Sequence, residues 1–184
     1  MLPMTTLRGM LVLYDGQDEE AVAIGRAVAA EAEYGEAHQQ PVTLLDVTTI
    51  PMGDCIGCFG CWVRTPGLCV LTGDEGNQLC RVVLEAQTVV MVSRITWGGY
   101  NASIKTVADR MLPLLHPDFR RVNGEMHHRM RYPQMPLLRA VGYGAGTTAE
   151  EETFRNYTAA HRVNFGCSEG TTTIWAGNAR EVFA

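Results

Sequence analysis

Cys55, Cys58, Cys61 and Cys69 crowd one short segment in the spacing C-x2-C-x2-C-x7-C. Thiolates are soft ligands that suit iron–sulfur clusters or zinc. Gaps of two residues turn successive thiolates toward one centre. Gly53, Gly57, Gly60 and Gly67 give the backbone the freedom that such wrapping needs. The competing reading is a tight loop of buried, inert thiols. The segment holds no His, which weighs against a mixed Cys/His zinc site. Cys80 and Cys167 stand apart. In a reducing cytosol such a cluster reads as a metal or redox site rather than a disulfide framework.

Between Leu115 and Ala140 lie His116, Arg120, Arg121, His127, His128, Arg129, Arg131 and Arg139. This basic bias suits the phosphates of a nucleotide or the acidic surface of a partner. Glu125, His127 and His128 are a weak metal candidate, because adjacent side chains diverge on an extended chain. The plainer reading is that these residues knit a long loop to itself and to a neighbouring subunit.

The chain that carries these groups has 184 residues, 46% hydrophobic and 19% charged, with a formal net charge of -5. That is enough to bury a core, and it points to a single domain over residues 1–184. A mildly acidic chain is a poor general nucleic-acid binder. No apolar run approaches the roughly 18 residues that read as a membrane span. Met1–Gly16 lacks the basic start and long apolar stretch of a signal peptide. The expectation is a cytoplasmic protein with neither nucleic-acid nor membrane partners.

Strand-like and helix-like segments alternate. Leu7–Tyr14 reads as a first strand, Asp18 to about Gly35 as a helix, and Pro41–Val47 as a second strand. A long cysteine-rich loop fills 48–73, and Asp74–Gln87 reads as a helix. Thr88–Ile95 is apolar on both faces, which predicts a central third strand. Asn101–Leu115 reads as a helix stopped by Pro117, and the His/Arg-rich stretch 116–136 as irregular. Leu137–Tyr143 is a fourth strand. Thr148–Gly166 is a helix whose Thr148 and Glu151 fit a capping box. Thr171–Trp175 is a fifth strand. This alternation predicts an α/β, three-layer, flavodoxin-like sandwich with a five-stranded parallel sheet in the order 2-1-3-4-5. Ligands of such sheets sit beyond the carboxyl ends of the strands at the switch point. The loops there are Asp15–Glu20, Thr96–Asn101 and Gly144–Thr148.

Two stretches carry a family resemblance. CIGCFGCWVRTPGLCV (Cys55–Val70) and TVVMVSRITWGGYNASIKTVADR (Thr88–Arg110) resemble the flavodoxin-like NAD(P)H-dependent FMN reductase family. Within it, the cysteine motif looks like that of the iron–sulfur flavoproteins. Trp62, Pro66-Gly67, Trp97-Gly98-Gly99-Tyr100, Lys105 and Asp109-Arg110 stand at the corresponding places. The resemblance implies FMN at the carboxyl end of the sheet. It implies hydride transfer from NAD(P)H, and electrons passed on to a flavin, quinone, metal centre or protein acceptor. It makes Thr96, Trp97, Gly98, Gly99, Tyr100, Tyr143, Gly144, Gly16 and Gln17 the cofactor contacts. It makes Cys55, Cys58, Cys61 and Cys69 the ligands of a [4Fe–4S] cluster, and a homodimer or homotetramer the assembly.

The loop after the first strand departs from that pattern. Family members hold the FMN phosphate there with Ser, Thr, Asn and often Arg; here the loop reads Asp15-Gly16-Gln17-Asp18-Glu19-Glu20. It offers carboxylates and no cation, and carboxylates repel a phosphate. The alternative to a flavin oxidoreductase is therefore a non-catalytic relative that acts as a partner subunit or metal-binding module. Lys105 and Asp109, four apart on one helix, read as a surface ion pair.

Overall fold

The computed structural model describes residues 9–35, 39–167 and 169–184. The elements run β1 (Met10–Tyr14), α1 (Glu19–Tyr34), β2 (Val42–Asp46), α2 (Gly60–Val63, a single turn), α3 (Gly76–Glu85), β3 (Thr88–Thr96), β4 (Gly99–Tyr100), α4 (Ala102–Arg110), β5 (Leu115–Val122), β6 (Glu125–Met130), β7 (Leu137–Tyr143), α5 (Thr148–Asn164) and β8 (Thr172–Ile174). The parallel strands lie in the order β2-β1-β3-β7-β8. Counted among themselves, these five strands have the expected order 2-1-3-4-5. Leu7 and Arg8 of the expected first strand lie outside the described residues. The short β4 pairs antiparallel with the end of β3 and was not foreseen.

Side chains alternate across the sheet, and each face has its own core. Met10, Val12, Val90, Val92, Val141 and Tyr143 pack against Ala21, Ile24, Val28 and Ala32 of α1. Leu11, Leu13, Val89, Met91, Ile95 and Ala140 face Leu79 and Val83 of α3, Ile104 and Val107 of α4, and Phe154 of α5. A strand buried on both faces must be apolar throughout. That is why Ser93 and Arg94, the polar pair near the end of β3, stand out. They are neighbours, so they point to opposite layers.

Three expectations are corrected. The stretch 116–136 is not irregular: β5 and β6 form an antiparallel hairpin apart from the main sheet. Its turn is Asn123-Gly124, both with positive φ, between the paired Val122 and Glu125. Asn-Gly is the strongest two-residue hairpin signal. The hairpin's cations knit it inward, Arg120 donating to the His128 and Val163 carbonyls and Arg131 to those of Pro113 and Leu115. The helix from Ala102 ends at Arg110, before Pro113 rather than at Pro117, and passes into a 3-10 turn at Leu112–Leu114. Proline lacks the N–H that a continuing helix would use. The capping box of α5 sits one residue early, at Thr147 and Glu150. Lys105 and Asp109 do form the expected ion pair at 2.5 Å. No described helix is long and apolar enough to cross a membrane.

An aromatic cluster locks α5 onto β4. Tyr100 meets Phe154, Tyr157 and His161 edge-on, and its hydroxyl lies 3.2 Å from His161 Nδ1. Burial pushes the His161 pKa down to about 4, against the weaker pull of Asp109. The charged form is disfavoured in the fold, so its stabilising share is complete above the unfolded value near 6.5 and lost as pH falls toward 4. Stability should drop by roughly 3 kcal/mol across that window. Urea titrations from pH 7 to pH 4 should show the drop in the wild type and a smaller one in His161→Gln.

Candidate functional site

The switch point lies between β1 and β3, since the chain leaves β1 for β2 on one side and returns to β3 on the other. The loops after β1, β3 and β7 meet there, and protein groups bridge them. Asp15 accepts from its own loop at Gln17 N–H, 3.0 Å, and across the crevice from Asn101 Nδ2, 3.0 Å, and the Ser103 hydroxyl. Gly16 N–H donates to Asp46 Oδ1 at 2.9 Å, tying the loop to the end of β2.

Asp18 sits at the N-cap of α1. One carboxylate oxygen accepts from the Glu20 and Ala21 amides at 3.0 and 3.3 Å. Arg94, on the α1 face of β3, closes on the same group, with Nε 2.8 Å from Oδ2 and a second nitrogen 3.3 Å from Oδ1. It also reaches Glu20 at 3.2 Å. The Arg94 guanidinium holds the Asp18 pKa below the usual carboxylate range. Behind it the guanidinium lies 4.9 Å from the centre of the Tyr143 ring. The Tyr143 hydroxyl is buried and approaches Asp18 without reaching hydrogen-bond geometry. Burial first, and that carboxylate second, raise its pKa. Gly144 has φ +69, and a Cβ there would lie 2.6 Å from Arg94. A side chain at 144 would displace the clamp.

Beyond Thr96 the chain turns back through Trp97-Gly98, with Thr96 paired to Gly99. Both central residues have positive φ, +52 and +78, the signature of a type I′ turn. Gly98 is the ordinary choice for such a position, and Trp97 is not. A Cβ on Gly98 would lie 2.5 Å from Thr153, so α5 backs the turn. Trp97 itself projects outward and is 90% exposed.

The cysteine loop leaves β2 at this same end of the sheet. Its anchor is Arg110, whose side chain is fully buried and grips Asp74 with two nitrogens at 2.6 and 2.8 Å and the Gly53 carbonyl at 2.6 Å. Asp74 is held at about 2 by that guanidinium. It also accepts from the Gly53 and Gly76 amides. Asn77 pins the other end, bonding both the N–H and the carbonyl of Cys69. Trp62 packs at a tilt between Phe59 and His128, which joins the loop to the β5–β6 hairpin. Cys61 is buried and Cys58 exposed, with Cys55 and Cys69 between. Burial raises the Cys61 pKa, and the neighbouring Cys69, Cys55 and Cys58 raise it further, so Cys61 lies within electrostatic reach of each of the other three. Yet among the described residues no three His, Cys, Asp or Glu side chains converge as a metal-holding group. The donor set suits a thiolate-bound centre; the loop as folded is not a coordination sphere. Cys80, pushed up to about 12 by burial, and Cys167, pushed up to about 11, are inert core thiols.

Gly16, Gln17, Thr96, Trp97, Gly98, Gly99, Tyr143 and Gly144 therefore lie at one end of the sheet, around the switch point. Tyr100 turns its side chain into the aromatic cluster and leaves only backbone at that end. Arg94, Asn101, Ser103 and Asp46 were missed by the sequence reading. The available signal was a lone arginine in an otherwise apolar central strand. Two depressions of about 320 and 360 Å³, both lined by Gln87, Met135 and Pro136, lie at the opposite, amino ends of β3 and β7.

No protein-family model matches the chain, and no curated protein matches it. Solved structures do. An azoreductase from Bacillus anthracis str. Sterne superposes with TM-score 0.63 at 17% identity, covering 91% of this chain and 86% of that one. The azoreductase AzrA gives 0.64 at 14%, with the same two coverages of 91% and 86%. An FMN-dependent NADH-azoreductase from Bacillus anthracis str. Ames Ancestor, in complex with FMN, gives 0.61 at 9%, covering 96% and 89%. The fold is flavodoxin-like. At these identities the likeness speaks to architecture alone.

Removing the Arg110 side chain would strand Asp74 and the Gly53 carbonyl without their partner. Arg110→Ala should lower the free energy of unfolding by about 3–5 kcal/mol in a urea titration. It should also free the cysteine loop, so that a thiol reagent modifies Cys69 faster than in the wild type.

Proposed function

We propose that the chain is a flavin-dependent oxidoreductase of the NAD(P)H:FMN reductase type, with the isoalloxazine ring held at the switch point. One observation carries this: Trp97, a bulky residue in left-handed backbone conformation, is presented to solvent at the end of the central strand. Such an outlier costs stability, and outliers of this kind cluster at ligand sites. Thr96, Gly98 and Gly99 supply backbone donors and acceptors beside it, and Tyr143-Gly144 forms the opposite wall. The likeness to azoreductases, one of them in complex with FMN, supports the same reading. Bound there, a flavin would accept a hydride from NAD(P)H and hand electrons to a flavin, quinone, metal centre or protein acceptor. The chain's own residues bind and orient the ring; none is required as a strong acid or base. A [4Fe–4S] cluster at Cys55, Cys58, Cys61 and Cys69 suits the donor chemistry, but not the present arrangement of the thiols, and the proposed activity does not depend on it.

The second reading, a non-catalytic relative serving as a partner subunit or metal-binding module, is favoured by the Asp18–Arg94 clamp. Flavin titration separates the two. Flavin fluorescence should be quenched by the wild type, and Trp97→Ala should weaken binding by about 0.5–1.5 kcal/mol while leaving the thermal midpoint unchanged. Absence of any flavin binding would favour the non-catalytic reading.

Self-association belongs to the proposal. Ile56, Phe59, Val63 and Phe119 are exposed large apolar residues on the cysteine loop and the β5–β6 hairpin. Light scattering at micromolar concentration should report a homodimer or homotetramer, and Val63→Glu should shift it toward monomer. A monomeric wild type would refute this part.

A further inference from the structure

The residues after β1 do not fit a flavin phosphate. Four backbone amides of that loop and helix start, those of Gly16, Gln17, Glu20 and Ala21, already donate to Asp46, Asp15 and, in the last two cases, Asp18. A helix N-terminus with a nearby arginine is what a phosphate would use. Here a carboxylate of the chain lies between the two. Asp18 accepts from the amides on one side and from Arg94 on the other. We propose that Asp18, clamped by Arg94, occupies the anion position of the β1–α1 loop, so that this chain binds flavins without drawing on a phosphate.

The inference rests on the flavin reading above and makes Asp18 and Arg94 its specificity-determining pair. Two further features support it. Asp15 is bonded to Asn101 and Ser103 across the switch point, which places another carboxylate, not a cation, between the β1 and β3 loops. Arg94 is also backed by the Tyr143 ring, with Gly144 leaving the guanidinium its space. Its hydrogen-bonding nitrogens are thus already engaged by Asp18 and Glu20. Glu20 adds a second carboxylate to the same cation, so an incoming phosphate would meet net negative charge.

The test is a fluorescence titration with riboflavin and FMN, beside a thermal-shift assay with inorganic phosphate. The proteins are the wild type, Asp18→Gly, Asp18→Asn and Asp18→Gly/Arg94→Ala. Glycine at an N-cap costs only a few tenths of a kcal/mol, and asparagine keeps the cap intact. The wild type should bind riboflavin and FMN with affinities within about threefold, since the phosphate gains no charge-assisted contact. Asp18→Gly should tighten FMN by at least about tenfold and leave riboflavin unchanged, with Asp18→Asn intermediate. Inorganic phosphate should raise the thermal midpoint of Asp18→Gly but not of the wild type or the double variant. A wild type that prefers FMN over riboflavin by about tenfold or more would overturn the inference while leaving the flavin reading intact. If no protein binds either flavin, the flavin reading fails and the phosphate arm decides: stabilisation of Asp18→Gly alone upholds the occupied anion position, and its absence refutes it.

Discussion

Everything at the switch point follows from the constraint that β3 is buried on both faces. A strand in that position has apolar neighbours above and below, so each polar side chain it carries must bring its own partners. Ser93 and Arg94 are consecutive and therefore emerge in different layers. Ser93 accepts from the Asn101 N–H and lies 3.2 Å from Asn101 Oδ1, which sets the start of α4. Arg94 turns to the α1 layer and finds Asp18 and Glu20. A single-residue alternation thus joins the β1 loop, the β3 loop and two helix N-termini into one assembly.

The cysteine loop depends on a different buried group. Arg110 enters the core from the last turn of α4, and its cost of desolvation is offset by a bidentate carboxylate and a carbonyl. The arrangement leaves its Nε without a partner. Gly76 sits where a Cβ would lie 2.1 Å from the guanidinium, so the first residue of α3 has to be small. The pair fixes Gly53 on one flank of the loop and the α3 start on the other. The path of the cysteine loop is thereby set by hydrogen bonds from Arg110, Asp74 and Asn77 rather than by the thiols themselves.

The layered fold was legible because alternation of apolar strands and amphipathic helices is a long-range pattern that local chemistry does not disturb. Leu137–Tyr143 matched to the residue, and the five parallel strands took the flavodoxin-like order their number suggested. What failed was local. The hairpin at 115–130 was hidden by its many cations, which suggested a solvated loop, although Asn123-Gly124 marks its turn. For the site, the acidic character of the β1 loop was visible, but its counter-ion was not. Arg94 is 76 positions away from Asp18 along the chain. Only strand pairing brings the two together, and nothing in the loop's own composition announces it. Tyr100 was misleading for a related reason: it follows Gly99 in the motif, and antiparallel pairing of β4 turns its ring into the α5 layer.

The clamp also bears on how such a loop stays folded without a ligand. A helix N-terminus that waits for an anion leaves amides unsatisfied and a positive dipole end exposed. A loop built to wait for phosphate carries that deficit in its free state, because active sites commonly trade stability for function. In this chain the deficit is absent: an aspartate at the N-cap is worth about 1 kcal/mol over alanine, and acidic residues in the first turn add a favourable dipole interaction. Asp18, Glu19 and Glu20 fill these places. Arg94 then offsets part of the repulsion within that cluster. The amides of the loop are satisfied by the chain's own carboxylates, so the order of the β1–α1 connection does not require a bound anion. A phosphate-dependent site would instead tie the two together, with its loop ordered by the ligand it holds.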